Sequence, residues 1–139
     1  MTGAFVADSS VAIAWAVPSQ ATEGTIALLE SVLASSQVVV PVLWGFEVAN
    51  SLLVLWRRRI IRDDQYERAR QDLDMLESVV DEEGPRFALD KISSLAKQHS
   101  LSVYDAVYLE LALRRAIPLA SRDSALNKAA KRAGVRTLL

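Results

Sequence analysis

The sequence predicts an α/β fold in which a parallel β-sheet is covered by helices on both faces. Short apolar runs alternate along the chain with longer segments of helical periodicity, a pattern typical of parallel sheets whose strands are joined by helices. The chain has 139 residues, of which 51% are hydrophobic, so it is long enough for one domain with a proper core and too short for two. We therefore expect a single domain over residues 1–139.

The strands of this sheet are predicted from brief apolar runs that end at polar or turn-forming residues. In chain order the four internal candidates are Ala4–Ala7, Val38–Val40, Leu76–Val80 and Pro118–Ala120. The final segment, Val135–Leu139, is a candidate fifth strand.

Helices are predicted where apolar residues recur at helical spacing between these runs. In chain order they are Ser9–Val17, Thr22–Ala34, Leu43–Arg59, Asp63–Leu73, Arg86–His99, Val103–Arg115 and Ser124–Ala133. In the sixth of them we expect Tyr104 and Tyr108 to pack in the core with their hydroxyls at its rim.

Composition excludes several classes of protein and site. The formal net charge of −1 excludes a polycation that coats nucleic acid indiscriminately. The absence of cysteine excludes disulfides and thiolate metal sites, and the single histidine excludes a multi-histidine zinc site. The N-terminus lacks the basic region of a signal peptide, and every apolar stretch is shorter than the roughly 20 residues that span a bilayer. We expect a cytoplasmic protein with no membrane partner.

Two aspartates lie where predicted strands pass into predicted helices. Asp8 follows "AFVA" and precedes "SSVAIAWAV", and Asp123 follows "IPLASR" and begins "DSALNKAAKRAG". A helix N-cap explains each position equally well when it is taken alone, because an aspartate carboxylate accepts hydrogen bonds from the first backbone N–H groups of a helix.

Two further acids lie in mostly apolar helices. Glu47 belongs to a polar stripe only three side chains wide, with Asn50 and Ser51, in the segment "FEVANSLLVLW". The alternative is an acid stabilised by the positive end of the helix dipole. Asp105 lies in "LSVYDAVYLELALRR", where Ser102 and Asp105 also have the spacing of a capping box.

Taken together, the four acids predict a metal site. All of them fall at strand exits or early in helices, so all four are expected at the carboxyl edge of the sheet, where ligands bind in folds of this class. Crowded carboxylates repel one another, and a divalent cation removes that penalty. Oxygen ligands without histidine or cysteine favour Mg²⁺ or Mn²⁺, and the usual chemistry of such sites is phosphate-ester hydrolysis.

The chain resembles the PIN-domain ribonucleases, and most closely the VapC toxins of type II toxin–antitoxin systems. The resemblance is carried, in the family's order, by "FVADSSVAIAW", "VPVLWGFEVANSLL", "LSVYDAVYLELALRR" and "PLASRDSALNKAAKRAGV". The positions that match the four acids of the family are Asp8, Glu47, Asp105 and Asp123, and the matching polar positions are Ser10 and Asn50. Ser121 stands where many members have threonine, and it keeps the hydroxyl.

The resemblance implies a three-layer α/β/α domain with a central parallel sheet, a Mg²⁺- or Mn²⁺-dependent endoribonuclease activity on RNA, a cognate antitoxin protein as partner, and a homodimer. We expect Asp8 and Asp105 to be the principal metal ligands, with Glu47 and Asp123 completing the site. Ser10, Asn50 and Ser121 would orient waters or carboxylates.

Three arginines are candidates for contacts with RNA phosphates: Arg114, Arg115 and Arg122. Arg114 and Arg115 also have a simpler interpretation, because cations are favoured at the end of a helix.

Aspartates at strand ends also occur in other classes of protein. A phosphoacceptor receiver domain needs a lysine late in the chain, and "PLASR" offers none there. A haloacid-dehalogenase-like phosphatase needs a second aspartate two residues after the first, where this chain has Ser10. The remaining alternative is a catalytically inactive PIN-like domain that binds nucleic acid or acts as a scaffold.

Overall fold

Four parallel strands form the sheet of this protein, which a computed structural model describes over residues 3–139. The strands are β1 (Ala4–Ala7), β2 (Gln37–Pro41), β3 (Val79–Asp81) and β4 (Leu119–Ala120). Their spatial order is β3-β2-β1-β4, so β1 and β2 are central. The predicted parallel sheet is therefore confirmed.

Seven α-helices accompany these strands within residues 3–139. They are α1 (Ser9–Ala16), α2 (Glu23–Ala34), α3 (Leu43–Arg57), α4 (Asp63–Asp74), α5 (Ser93–His99), α6 (Val103–Arg115) and α7 (Ser124–Arg132).

The central strand β1 is covered on both faces. Successive residues of a strand point to opposite faces of its sheet. Phe5, Val6 and Ala7 are nevertheless all buried. In register, Val6 is paired with Val39 of β2 on one side and with Leu119 of β4 on the other. The apolar run that predicted this strand is thus the centre of the core, and its exit marks the middle of the carboxyl edge.

Three predicted elements differ from the observed ones by more than two residues. Strand β3 begins at Val79 instead of Leu76 and ends at Asp81. The predicted fifth strand is reduced to one parallel bridge between Leu119 and Thr137. The backbone hydrogen bonds of Leu119 with Arg136 and Leu138 form this bridge but do not continue into a strand. The prediction of one helix over residues 86–99 is wrong in its first half.

Residues 84–92 form two short irregular turns in place of the first half of the predicted helix. Gly84–Phe87 forms a 3₁₀ turn and Ala88–Ile92 a π-helical turn before α5 begins. The N–H of Gly84 donates to the carboxylate of Asp81 at 3.0 Å, which ties the start of the segment to the end of β3. The hydroxyl of Ser93 donates to the carbonyl of Ala88 at 2.6 Å, five residues earlier, and stabilises the wider turn.

Within residues 3–139, no helix has both the length and the apolar character needed to cross a membrane. Residues 1 and 2 lie outside the described part of the chain, and the single domain over residues 1–139 stays a prediction.

Candidate active site

Asp8 lies at the exit of β1 and is almost fully buried, with 6% of its surface exposed. Its backbone N–H donates to the carbonyl of Ala120 at 3.1 Å, so the pairing of β1 with β4 extends to this residue. Its carboxylate accepts the N–H of Val11 at 3.3 Å and caps α1. The capping role considered from the sequence is therefore present, but it uses only one of the two carboxylate oxygens.

Two serine hydroxyls fix the orientation of the Asp8 carboxylate. Ser10 donates to Oδ1 at 2.6 Å, and Ser121, which is fully buried, donates to Oδ2. Each serine oxygen in turn accepts a backbone N–H of the loop after β4: Arg122 N–H reaches Ser10 at 3.0 Å and Asp123 N–H reaches Ser121 at 2.9 Å. The hydroxyl protons are thereby directed at Asp8, and the loop after β4 sets the position of the carboxylate.

Asp123 is exposed and caps α7. Its Oδ1 accepts the N–H of Leu126 at 2.8 Å. The side-chain amide of Asn127 donates to the carbonyl of Ser121 at 2.9 Å and closes the same loop from the other side. The capping interpretation also holds for Asp123, whose second carboxylate oxygen accepts no hydrogen bond within residues 3–139.

Glu47 is half-buried near the start of α3, and its Oε1 accepts a hydrogen bond from the hydroxyl of Tyr108 in α6. This bond joins two helices that are distant in sequence. Tyr108 is 1% exposed, as the sequence predicted, whereas Tyr104 is 61% exposed, so the prediction of a core position for Tyr104 is wrong. Asn50, one turn after Glu47, is exposed and makes no side-chain hydrogen bond within the described residues.

Asp105 lies in the first turn of α6 and is half-buried. Ser102 is the N-cap of this helix, and its hydroxyl accepts the N–H of Asp105 at 3.1 Å. Of the two hydrogen bonds of the capping box considered from the sequence, the one to the Ser102 hydroxyl is therefore formed. The carboxylate of Asp105 does not cap the helix.

Three of the four acids have a pKa that is raised above the ordinary value of a carboxyl group. For Asp8 the cause is burial, which outweighs the hydrogen bonds from the two serines and the backbone. For Glu47 the pKa is raised by burial and then by the charges of Asp105 and Asp8, against the hydrogen bond from Tyr108. For Asp105 the pKa is raised by burial and then by the charges of Asp123 and Asp8. The four acids thus influence one another electrostatically, as expected at one edge of the sheet.

The side chains at this edge fit a hydrated cation better than a closed cage of protein ligands. Within residues 3–139, no group of three or more acidic or histidine side chains is placed to hold a metal ion directly. Like charges repel, and the carboxylates of Asp8 and Glu47 accept hydrogen bonds from hydroxyl groups. Mg²⁺ is commonly bound through one or two carboxylates and several waters, a requirement that an all-oxygen site of this kind meets.

The sequence missed a fifth acid of this edge, Asp81, which ends β3 and is 1% exposed. Arg114 binds both of its oxygens, at 2.9 and 2.7 Å, and Arg115 approaches Oδ1 at 3.2 Å. The Nε of Arg114 also donates to Glu110 at 2.6 Å. These contacts hold the pKa of Asp81 at about 2.

This network gives Arg114, a candidate RNA contact in the sequence, a structural role. The guanidinium of Arg114 is committed to Asp81, Glu83 and Glu110, so it is not available to a phosphate without breaking buried ion pairs. Arg115 is partly committed to the same carboxylate of Asp81. No spacing in the sequence reveals this pairing, because Asp81 and Arg114 are 33 residues apart.

Arg122 remains the candidate for an RNA contact. The residue is exposed, its backbone N–H reaches the Ser10 hydroxyl, and its side chain makes no ion pair within residues 3–139. It therefore combines closeness to Asp8 with a cationic group that is not already neutralised.

The chain matches one family model, the PIN domain, over residues 5–132. That range includes all four acids and both serines that contact Asp8. No curated protein matches the chain in sequence.

Several solved structures have the same fold. The structure of PAE2754 from Pyrobaculum aerophilum is 23% identical, with a TM-score of 0.68 over 99% of this chain and 91% of that one. FitAcB from Neisseria gonorrhoeae is 19% identical, with a TM-score of 0.65 over 97% and 96%. VapBC2 from Rickettsia felis, bound to a DNA fragment from their promoter, is 11% identical, with a TM-score of 0.67 over 96% of each chain. At these identities the likeness shows the fold.

Proposed function

This chain belongs to the PIN domain family, and from that membership we propose that it is a Mg²⁺- or Mn²⁺-dependent endoribonuclease that hydrolyses RNA phosphodiester bonds. The observation that carries the proposal is the electrostatic cluster of Asp8, Glu47 and Asp105 at the carboxyl edge, where each carboxyl has a raised pKa. Burying acids without a neutralising cation costs free energy, and the cap of α1 uses only one oxygen of Asp8, so a role in binding a cation explains the three acids better than a structural role alone does.

Asp8 and Asp105 are the residues that would hold the cation, with Glu47 and Asp123 completing the site directly or through water. When bound, a divalent cation makes a water acidic enough to act as a nucleophile near neutral pH and neutralises charge on the scissile phosphate. Ser10 and Ser121 keep the Asp8 carboxylate in one orientation, so this ligand needs little reorganisation when a cation arrives. Asn50 is exposed beside Glu47 and would orient water or the substrate.

Arg122 would bind a phosphate of the RNA. Its side chain is exposed at the loop that fixes Asp8, and a guanidinium suits phosphate oxygens because it can donate two parallel hydrogen bonds. Arg115 is a secondary candidate, since only one of its terminal nitrogens contacts Asp81. Arg114 is left out because of its buried ion pairs.

The biological role we propose is that of the toxin in a type II toxin–antitoxin pair, acting as a homodimer in the cytoplasm and inhibited by a cognate antitoxin. The support comes from the solved structures with this fold, which include a toxin–antitoxin complex from Klebsiella pneumoniae and VapBC2 of Rickettsia felis. Co-purification of the chain with the product of a neighbouring small gene, and loss of growth inhibition when the two are expressed together, would test this role.

A second candidate function is a catalytically inactive PIN-like domain that binds nucleic acid or acts as a scaffold. The observation that favours it is that no three acids within residues 3–139 are placed around a common ion. The two candidates differ in one outcome, which is RNA cleavage that depends on a divalent cation.

The test of catalysis compares Asp105→Asn with a matched control. Purified protein is incubated with total cellular RNA and Mg²⁺ or Mn²⁺, with a chelator in parallel, and the new RNA ends are mapped. Asp105→Asn should abolish cleavage with an unchanged circular dichroism spectrum, whereas Asp74→Asn, an exposed acid at the end of α4, should cleave normally. Full cleavage by Asp105→Asn would remove this residue from the mechanism, and no cleavage by the unmodified protein would favour the scaffold.

A further inference from the structure

The contact between Tyr108 and Glu47 connects the core to the candidate active site. Tyr108 is buried among the side chains of the main core, and its hydroxyl donates a hydrogen bond to the carboxylate of Glu47. A buried tyrosine needs a partner for its hydroxyl, which explains why a contact exists but not why the partner is a half-buried acid near the start of another helix.

Only one of the two carboxylate oxygens of Glu47 is occupied by the hydrogen bond from Tyr108. Oε1 accepts the Tyr108 hydroxyl, whereas Oε2 accepts no hydrogen bond within residues 3–139. The Asp8 carboxylate differs in this respect, because each of its oxygens accepts a serine hydroxyl. The charge of Glu47 is also close enough to Asp105 and Asp8 to be influenced by theirs, so Glu47 belongs to the same acidic cluster.

We propose that Tyr108 is a positioning residue, which holds Glu47 by one carboxylate oxygen so that the other is available to a divalent cation. The inference rests on the proposed function, because it assigns Tyr108 a purpose only if a cation binds at this edge. A carboxylate on a helix can rotate among several side-chain conformers, and a fixed hydrogen bond restricts it to one. Tyr108 makes no contact with the substrate in this account and acts only through Glu47.

The test measures Mn²⁺ binding by calorimetry on the full-length chain without RNA. Tyr108→Phe removes the hydroxyl and keeps the ring, and we expect it to bind Mn²⁺ about ten-fold more weakly. The matched control is Tyr104→Phe, which removes an exposed hydroxyl one turn earlier on the same helix and should leave the affinity unchanged.

A double-substitution cycle separates positioning from a general effect on the fold. In a Glu47→Gln background, which already lacks the charge, adding Tyr108→Phe should produce no further loss of Mn²⁺ affinity. An equal loss in both backgrounds, unchanged affinity in Tyr108→Phe, or a Tyr108→Phe protein that does not fold would each overturn the positioning role.

The outcome for the unmodified protein distinguishes the two proposals. If it binds Mn²⁺ and cleaves RNA while Tyr108→Phe binds equally well, the positioning role is wrong and the proposed function stands. If it neither binds Mn²⁺ nor cleaves RNA, both proposals are wrong.

Discussion

Arg114 binds Asp81 through two parallel hydrogen bonds, at 2.9 and 2.7 Å, across the end of the edge strand β3. The same guanidinium lies 5.1 Å above the ring of Phe87 and donates to Glu110. One side chain of α6 thus holds together the end of β3, the irregular segment after it and its own helix. The pair is nearly buried, which makes each partner dependent on the other.

Replacing Arg114 by methionine should strongly destabilise the protein. The substitution keeps most of the apolar stem but leaves the Asp81 charge buried without its main partner, and changes of this kind cost about 3–5 kcal/mol. Urea denaturation gives the change in the free energy of unfolding. Arg70→Met is the control, because the Arg70–Glu67 ion pair is exposed and worth about 1 kcal/mol or less. Similar losses in the two variants would contradict the structural role of Arg114.

The sequence predicted best those elements whose limits are set locally. Strand β1 and helix α6 begin and end at the predicted residues, because an apolar run is bounded in one case by Asp8 and in the other by the cap Ser102. The acids at strand exits were found by the same local signals, since a parallel sheet brings its carboxyl ends to one edge whatever the loops between them do.

What the sequence could not predict depends on contacts between distant residues. The Asp81–Arg114 pair spans 33 residues and places in a buried ion pair an arginine that the sequence presented only as a helix-end cation and a candidate RNA contact. The hydrogen bond from the Gly84 N–H to Asp81 also anchors the irregular turns within residues 84–92. Helical periodicity alone predicts most of this segment as part of one helix. The orientation of Glu47 toward Tyr108 is of the same kind, because the bond crosses 61 residues.

Stability in the absence of divalent cations should be greatest at mildly acidic pH. The pKa of Asp81 falls from its usual 3.8 to about 2 in the folded protein, so its contribution is complete above pH 3.8 and is lost as the pH falls through about 2. A lowering of this size corresponds to about 2 kcal/mol. Asp8, Glu47 and Asp105 act in the opposite direction, because their pKa values are raised and their ionised forms destabilise the fold as the pH rises.

The measurement is the free energy of unfolding against pH in a chelating buffer. We expect it to rise as the pH is lowered toward the ordinary carboxyl pKa values of about 4, because the three site acids take up protons more readily in the folded protein than in the unfolded chain, and then to fall in stronger acid as Asp81 is protonated. The rise should shrink in Asp105→Asn, which removes one of these acids. A free energy that does not rise anywhere between neutrality and about pH 4 would show that burial and crowding of the site acids are too weak to matter.

Two aspartates of the site should respond oppositely to substitution when no cation is present. The pKa of the Asp105 carboxyl group is raised by burial and by the charges of Asp123 and Asp8, so its ionised form is unfavourable in the folded protein. Asp105→Asn removes that charge, and the thermal stability of the variant should be unchanged or higher. Asp123→Ala removes the cap of α7, which accepts the Leu126 N–H at 2.8 Å, and should lose about 1 kcal/mol. Thermal unfolding in a chelating buffer measures both. A clear loss in Asp105→Asn would favour a structural role for that carboxylate.

Arg122→Ala should weaken RNA binding without affecting the fold. If the exposed guanidinium contacts one phosphate, its loss reduces the slope of log affinity against log salt by about 1. Binding is measured with a catalytically inactive Asp105→Asn background and a single-stranded RNA at several salt concentrations. Arg70→Ala serves as the control, because this arginine is paired with Glu67 on α4. An unchanged slope in Arg122→Ala would leave Arg122 as a surface charge.

The hydroxyl of Ser121 should be required for the proposed activity. Ser121→Ala removes the donor to Asp8 Oδ2 and the acceptor of the Asp123 N–H, so the carboxylate loses one of its two orienting hydroxyls. Losses of such supporting hydrogen bonds typically cost 10- to 100-fold in metal affinity or activity, and we expect a decrease of about that size in Mg²⁺-dependent cleavage. Ser121→Thr keeps the hydroxyl and should retain most of the activity. Equal activity in Ser121→Ala and the unmodified protein would show that Asp8 does not depend on this hydroxyl for its orientation.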